Sequence, residues 1–163
     1  MENEVTQYLD KRGIAYEVWE HKAVYTMAEA ETLDLATKGI VPKNLLLKEK
    51  KSHRRFLVTT AEKAPLEIKE LRSILGTKEL CFCSTEELME LLGLEKGSLT
   101  VFGILNDIEH RVEVILDCQM QGKIPIGLHP NTNTATLWLT YDDLKKVLTS
   151  LGNPFRELKL PTK

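Results

Sequence analysis

His129, Asn131 and Asn133 fall at alternate positions in the run Ile126-Gly127-Leu128-His129-Pro130-Asn131-Thr132-Asn133-Thr134-Ala135-Thr136. An imidazole and two carboxamides donate and accept hydrogen bonds but are poor nucleophiles, so this set suits recognition and orientation better than covalent attack. The same residue types also build turns, because Pro fixes φ and Asn tolerates left-handed backbone, and a hairpin shaped by its Asn residues is the plain alternative. A second group is Lys43-Asn44, which follows Pro42 and opens the apolar run Leu45-Leu46-Leu47. A lysine at a strand mouth either meets a phosphate or carbonyl oxygen as a positive charge or snorkels at a sheet edge. The densest positive patch is Lys48, Lys50, Lys51, Arg54 and Arg55. It either attracts a polyanion by counterion release or guards a hairpin tip against edge pairing. Asn106-Asp107-Ile108-Glu109-His110 is a polar turn between strands, with a catalytic loop as the sharper reading.

Bulk properties narrow these options. The chain has 163 residues, 42% of them hydrophobic and 28% charged, which suits one folded domain able to bury a core without disulfides or metal. A formal net charge of -2 supplies no overall basic field, so any nucleic-acid contact must use a local patch. Three cysteines make no secreted disulfide framework, and reduced cysteines in a cytoplasmic protein are expected. The four histidines are spread without metal-ligand spacing, and there is no phosphate-binding glycine loop or nucleophile elbow. The expectation is no metal, no cofactor, no signal peptide and no membrane span.

The elements that would position these groups follow from periodicity and punctuation. Val5, Tyr8 and Leu9 predict a helix stopped by Gly13, then a strand over 14–19. Thr26 and Glu29 form a capping-box pattern for a helix to Thr37. Strands over 44–48 and 55–60 flank a charged tip. Pro65 and Gly76 bracket a helix, and 80–83 is a short strand. Ser84 and Glu87 cap a helix ending at Gly93, and the loop 97–100 feeds a further strand. A strand over 112–116 precedes the central hairpin of 124–128 and 134–139. Thr140 caps a last helix to Leu151, and a final strand is expected over 155–160. Interleaved helices early and clustered strands late predict an α+β fold, with helices packed on a mixed sheet rather than a doubly wound parallel one.

Taken together, the stretches resemble the YbaK/ProX aminoacyl-tRNA deacylase family, free-standing relatives of the prolyl-tRNA synthetase editing domain. The resemblance runs from about His21 to Leu151. It is carried by His21-Lys22-Ala23-Val24-Tyr25-Thr26, Pro42-Lys43-Asn44-Leu45-Leu46-Leu47, Gly97-Ser98-Leu99-Thr100, Phe102-Gly103, Asn106-Asp107, and the run 127–136. The Lys-Asn pair and the His-Pro-Asn hairpin point to the ProX branch. The resemblance implies a strongly curved sheet and residues 1–163 as one trans-editing domain. It further implies hydrolysis of the ester on mischarged proline tRNA, with alanine the expected amino acid and cysteine the alternative. Lys43 would hold the phosphate or carbonyl side of the terminal adenosine, and Asn44 would orient the ester. His129 would line the amino-acid pocket and exclude proline, setting selectivity more than rate. Tyr25, Gly97, Thr100, Val101, Phe102, Gly127, Asn131 and Asn133 would complete the pocket, and the basic patch would meet tRNA. Val101 stands where the family usually has proline, which implies a looser wall there. The implied partners are aminoacylated proline tRNA and prolyl-tRNA synthetase, with no DNA or membrane. The competing class is a non-catalytic regulator that binds tRNA or an amino acid.

Overall fold

A computed structural model describes residues 1–23, 29 and 32–163. The elements, in order, are α1 (Glu4–Lys11), β1 (Glu17–Glu20), α2 (Leu35–Lys38), β2 (Lys43–Glu49), β3 (Arg55–Thr60), α3 (Ile68–Leu75), β4 (Leu80–Phe82), α4 (Thr85–Leu92), β5 (Val112–Asp117), β6 (Ile126–Leu128), β7 (Ala135–Leu139), α5 (Tyr141–Leu151) and β8 (Phe155–Leu158). The α+β expectation holds, with the strands hydrogen-bonded as two sheets. A mixed five-stranded sheet has the order β4-β2-β3-β5-β8, and an antiparallel three-stranded sheet has the order β1-β7-β6. Among the described residues, no helix is long and apolar enough to cross a membrane.

The larger sheet is buried on both faces, and period-two alternation sorts its side chains. Leu46, Leu57, Val114 and Leu116 face the main core with α1, α4, α5 and the smaller sheet. Leu47, Phe56, Val58 and Ile115 face a second core closed by Leu71 and Leu75 of α3. Truncating any of these fully buried leucines to Ala should cost about 2–5 kcal/mol, because the close-packed surroundings cannot collapse onto the void.

The two sheets are joined at the segment that leads into β2. Ile40 forms a parallel bridge to Ile126, and its carbonyl accepts from the Gly127 N–H at 2.8 Å. Three residues later the chain enters β2 of the other sheet. This joint sets the mouth of β2 beside the turn after β6. In β6 only glycine fits at position 127: a Cβ would lie 2.7 Å from the Trp138 ring, whose residue is its cross-strand partner. Trp138 in turn meets Trp19 of β1 edge-on, with centroids 5.3 Å apart.

Several expected boundaries shift. β6 begins at Ile126 rather than at 124, and β1 begins at Glu17. No strand follows the 97–100 loop. Residues Lys96–Ser98 and Val101–Asn106 are short 3-10 helices, because Thr100 accepts from the Phe102 N–H and starts a turn where apolar side chains suggested extension. The capping pattern at Thr26 and Glu29 lies at the edge of the described residues, and Thr26 is outside them. The Ser84–Glu87 capping box is present, with the Glu87 N–H donating to the Ser84 hydroxyl and the Ser84 N–H donating to the Glu87 carboxylate.

Candidate functional site

β4 pairs only with Leu47–Glu49, and the last rung is the Cys83 N–H donating to the Leu46 carbonyl at 2.9 Å. Antiparallel pairing directs alternate residues to alternate neighbours, so the main-chain groups of Asn44 point to the same edge as those of Leu46. With β4 ended and the chain turning into α4 at Ser84, no strand among the described residues covers that edge of β2. It floors a cleft of about 610 Å³ whose walls are the Phe82–Thr85 corner, Lys96, Gly97 and Leu99, and His129. A smaller pouch of about 110 Å³ opens beside it among His21, Leu35, Val41, Gly127, Leu128 and Thr136. Pro42, Asn44 and His129 line both cavities and therefore mark their junction.

The junction side chains are oriented by neighbours outside the cleft. Asn44 Oδ1 accepts from the Thr59 hydroxyl at 2.8 Å, on the strand pair that sets the two side by side. That contact leaves the Nδ2 hydrogens of Asn44 as donors. His129 Nδ1 lies 3.2 Å from the Ala135 carbonyl, which can only accept, so Nδ1 carries the proton and Nε2 is the bare acceptor. Burial holds the His129 pKa below its ordinary value against the opposing hydrogen bond to Ala135, and the nearby His21 lowers it further. The ring is therefore a neutral imidazole at neutral pH. His21 is fixed by Nδ1 donating to the Lys22 carbonyl at 2.8 Å and by Nε2 meeting the Thr136 hydroxyl at 2.9 Å.

The turn that carries His129 is clamped by the N-terminal helix. The Pro130 carbonyl accepts from Asn3 Nδ2 at 2.7 Å, while Asn3 Oδ1 caps α1 through the Val5 and Thr6 N–H groups. Asn131, at φ 58°, donates to Glu4 at 3.3 Å and to the Phe102 carbonyl at 3.4 Å. The sequence did not reveal this clamp, because its two halves are more than a hundred residues apart.

Not every predicted site residue reaches the cavities. Asn44, Gly97, Gly127 and His129 line them, whereas Tyr25 lies outside the described residues. Thr100, Val101 and Phe102 are corrected: each is at most 1% exposed, in the core or starting a 3-10 turn, so the Val101 departure falls on packing rather than on a pocket wall. Asn131 and Asn133 belong to the turn; Asn131 is spent on the α1 clamp and Asn133 is buried. Lys43 follows the alternation to the opposite face of β2 from Asn44. Its ammonium rests 3.4 and 3.5 Å from the carbonyls of Lys63 and Ala64, contacts too long to hold an exposed lysine firmly.

The basic patch is also less free than its sequence suggested. Lys48 pairs with Glu87 at 2.6 Å, and Arg55 approaches the same carboxylate at 3.9 Å. Arg54 grips both oxygens of Glu113 at 3.0 and 3.1 Å and donates to the Leu75 carbonyl. Lys50 and Lys51 remain exposed, without a side-chain partner among the described residues. In the turn before β5, Asp107 accepts from the Arg111 and Val112 N–H groups and from Asn153, which makes it a structural brace rather than a catalytic loop.

Three cleft residues had escaped the sequence reading. Phe82 is 60% exposed at the rim, and Lys96 lies across from the β4 corner with no side-chain partner among the described residues. Cys83 is half-buried in the wall, where burial first and Glu87 second push its thiol up to about 11. Among the described residues no group of three or more His, Cys, Asp or Glu is placed to hold a metal ion.

The two-chambered cleft, with neutral hydrogen-bonding groups at its junction, is the candidate site of this fold. Residues 21–147 match the aminoacyl-tRNA editing domain family, and the chain belongs to that family of deacylases. It is 36% identical to the prolyl-tRNA editing protein ProX of Acetoanaerobium sticklandii, over 93% of each chain. It is 33% identical to prolyl-tRNA synthetase associated domain-containing protein 1 of Danio rerio, over 91% of this chain and 81% of that one. The fold is similar to the crystal structure of a hypothetical protein, with a TM-score of 0.74 and 15% identity over 95% of this chain and 98% of that one. It is also similar to a candidate trans-editing enzyme for prolyl tRNA synthetase, with a TM-score of 0.69 and 20% identity over the whole of both.

Proposed function

We propose that this chain hydrolyses the ester of mischarged proline tRNA in trans, with alanyl proline tRNA as its substrate. The observation that carries the reading is the junction: Asn44 and His129 stand where a small apolar pouch meets a cleft wide enough for a nucleoside. An aminoacyl ester placed across it would have its amino-acid side chain in the pouch and its ribose in the cleft. The names of the similar proteins support proline tRNA as the carrier.

Each step can be given to groups present here. The ester is already activated, so a positioned water and a polarised carbonyl suffice. Water attacks the carbonyl carbon, and Asn44 Nδ2 donates to the oxygen that gains charge. The carbon–oxygen bond to the ribose then breaks, and the ribose oxygen leaves with a proton, giving free amino acid and free tRNA. Lys43, loosely held at the strand mouth, swings to the phosphate or carbonyl side of the terminal adenosine. His129 occupies volume that the pyrrolidine of proline would need, so the cognate ester is excluded rather than bound weakly.

The test is deacylation of proline tRNA charged with Ala, Cys or Pro by wild type, Asn44→Ala and His129→Ala. Turnover of the alanyl ester, lost in Asn44→Ala, supports the reading. Binding of all three without turnover would mean a non-catalytic recognition protein, and faster turnover of the cysteinyl ester would reassign the substrate.

A further inference from the structure

Phe82 is the one aromatic ring among the exposed large hydrophobic residues described, and it stands on the rim of the catalytic cleft rather than on an outlying surface. Its position is imposed by the end of β4. Phe82 pairs with Leu47, and the next residue, Cys83, makes the last rung before the chain turns away. The ring is left at a sheet corner, beside the edge of β2 that no strand among the described residues pairs. Lys96 lines the same cleft from the first position of the 3-10 turn Lys96–Ser98, and its ammonium has no side-chain partner among the described residues. Lys48, Arg54 and Arg55 of the same sheet, by contrast, are each paired with a carboxylate.

An exposed ring with an uncommitted cation nearby is the equipment that proteins use for single-stranded nucleic acid: a base stacks on the ring, and the backbone phosphate meets the charge. We propose that Phe82 and Lys96 form the nucleotide subsite of this cleft, with the terminal adenine stacked on Phe82 and a phosphate of the single-stranded 3′ end on Lys96. The proposal rests on the deacylase reading of the junction and adds to it what holds the nucleic-acid end of the substrate. Stacking tolerates any base, whereas the ester fixes the terminal nucleotide, so Phe82 and Lys96 supply grip and the pouch supplies selection.

Two measurements test it. In deacylation with alanyl proline tRNA, Phe82→Ala should raise KM by about tenfold or more, with kcat within about twofold. Phe82→Trp should restore KM and Phe82→Leu should not, since leucine keeps apolar area but offers no π face. In equilibrium binding of a short, uncharged single-stranded RNA ending in adenosine, Phe82→Ala should weaken affinity similarly. Removing the base from the last nucleotide should cost wild type the same factor and cost Phe82→Ala nothing more. Lys96→Gln should flatten the logarithmic salt dependence by about 0.7. Unchanged KM and RNA affinity in Phe82→Ala overturn the subsite while leaving the deacylase reading intact. RNA binding that depends on Phe82, in a wild type that hydrolyses no aminoacyl ester, keeps the subsite and removes the reaction.

Discussion

The two ends of β2 are both polar and open onto solvent, yet they treat their polar groups in opposite ways. At the hairpin end, Lys48, Arg54 and Arg55 are answered by Glu87 and Glu113, and Arg54 also reaches the end of α3. At the mouth, Asn44 keeps both Nδ2 hydrogens, Lys43 rests on long contacts and Lys96 has no side-chain partner among the described residues. His129 lines the same cleft as Asn44 and Lys96, its Nε2 without a partner among the described residues. Charges that answer one another join strands and helices. Groups left unanswered at a cavity wall are available to a ligand, so charge density in the sequence does not by itself say where a ligand sits.

The strongest challenge to this contrast is Asn44→Ala. It should lower kcat/KM for alanyl proline tRNA by about 10²–10³, the usual effect of losing a donor to a developing oxyanion. Single-turnover deacylation measures it, and a loss below about threefold would place Asn44 with the structural groups. Next, Lys43→Ala should cost at least about tenfold in kcat/KM, and Lys43→Arg should recover part of it through retained charge. Indifference to both variants would mean that the resting contacts to Lys63 and Ala64 are all this lysine does.

His129→Ala sharpens the contrast in another way. The ratio of prolyl to alanyl ester hydrolysis should rise by about tenfold, with the alanyl rate changing less, because pocket volume rather than proton transfer is altered. An equal large fall on both substrates would make His129 a catalytic base. Its pH behaviour follows from a folded pKa held below the ordinary 6.5. The neutral ring persists through neutrality, so activity should be flat there and decline only below that value. Stability contributed by this group is present above 6.5 and is lost as pH falls toward the lowered value, because the unfolded chain takes up the proton first. A pH–rate profile that bends above 6.5 would contradict the burial of this ring.

At the hairpin end, Arg54→Met should cost about 1 kcal/mol, roughly 2–4 °C in Tm, while deacylation at saturating substrate stays unchanged. Smallest of all, Lys50→Gln with Lys51→Gln should flatten the salt dependence of tRNA binding by no more than about one unit per lost phosphate contact. An unaltered slope would leave the tip purely solvated. A large loss of turnover from either hairpin variant would erase the distinction between the two ends.

What the sequence could and could not tell divides along the same line. Period-two and capping patterns located β2, β3, α4 and α5, because those signals depend on neighbours within a turn or two. Asn44 and His129 were legible as polar groups at a strand mouth and a turn. The separation of Lys43 from Asn44 follows from simple strand alternation, which places neighbouring side chains on opposite faces. The pairing of Arg54 with Glu113, the clamp of Asn3 on Pro130 and the burial of Val101 depend on contacts far apart in the chain. No local pattern encodes them. Phe82 was missed for a different reason: its type suits a buried strand, and only the early end of β4 leaves it at a corner.

The wall residue Cys83 has a further consequence for a protein that handles activated esters. An aminoacyl ester is an acyl donor, and a thiolate within reach would capture the amino acid as a thioester and leave the protein acylated. With its thiol pushed up to about 11, Cys83 stays protonated at neutral pH. Burial beside Glu87 thus keeps this one wall thiol in its poorly nucleophilic, protonated form. The same protonation should leave Cys83 slow to react with alkylating reagents.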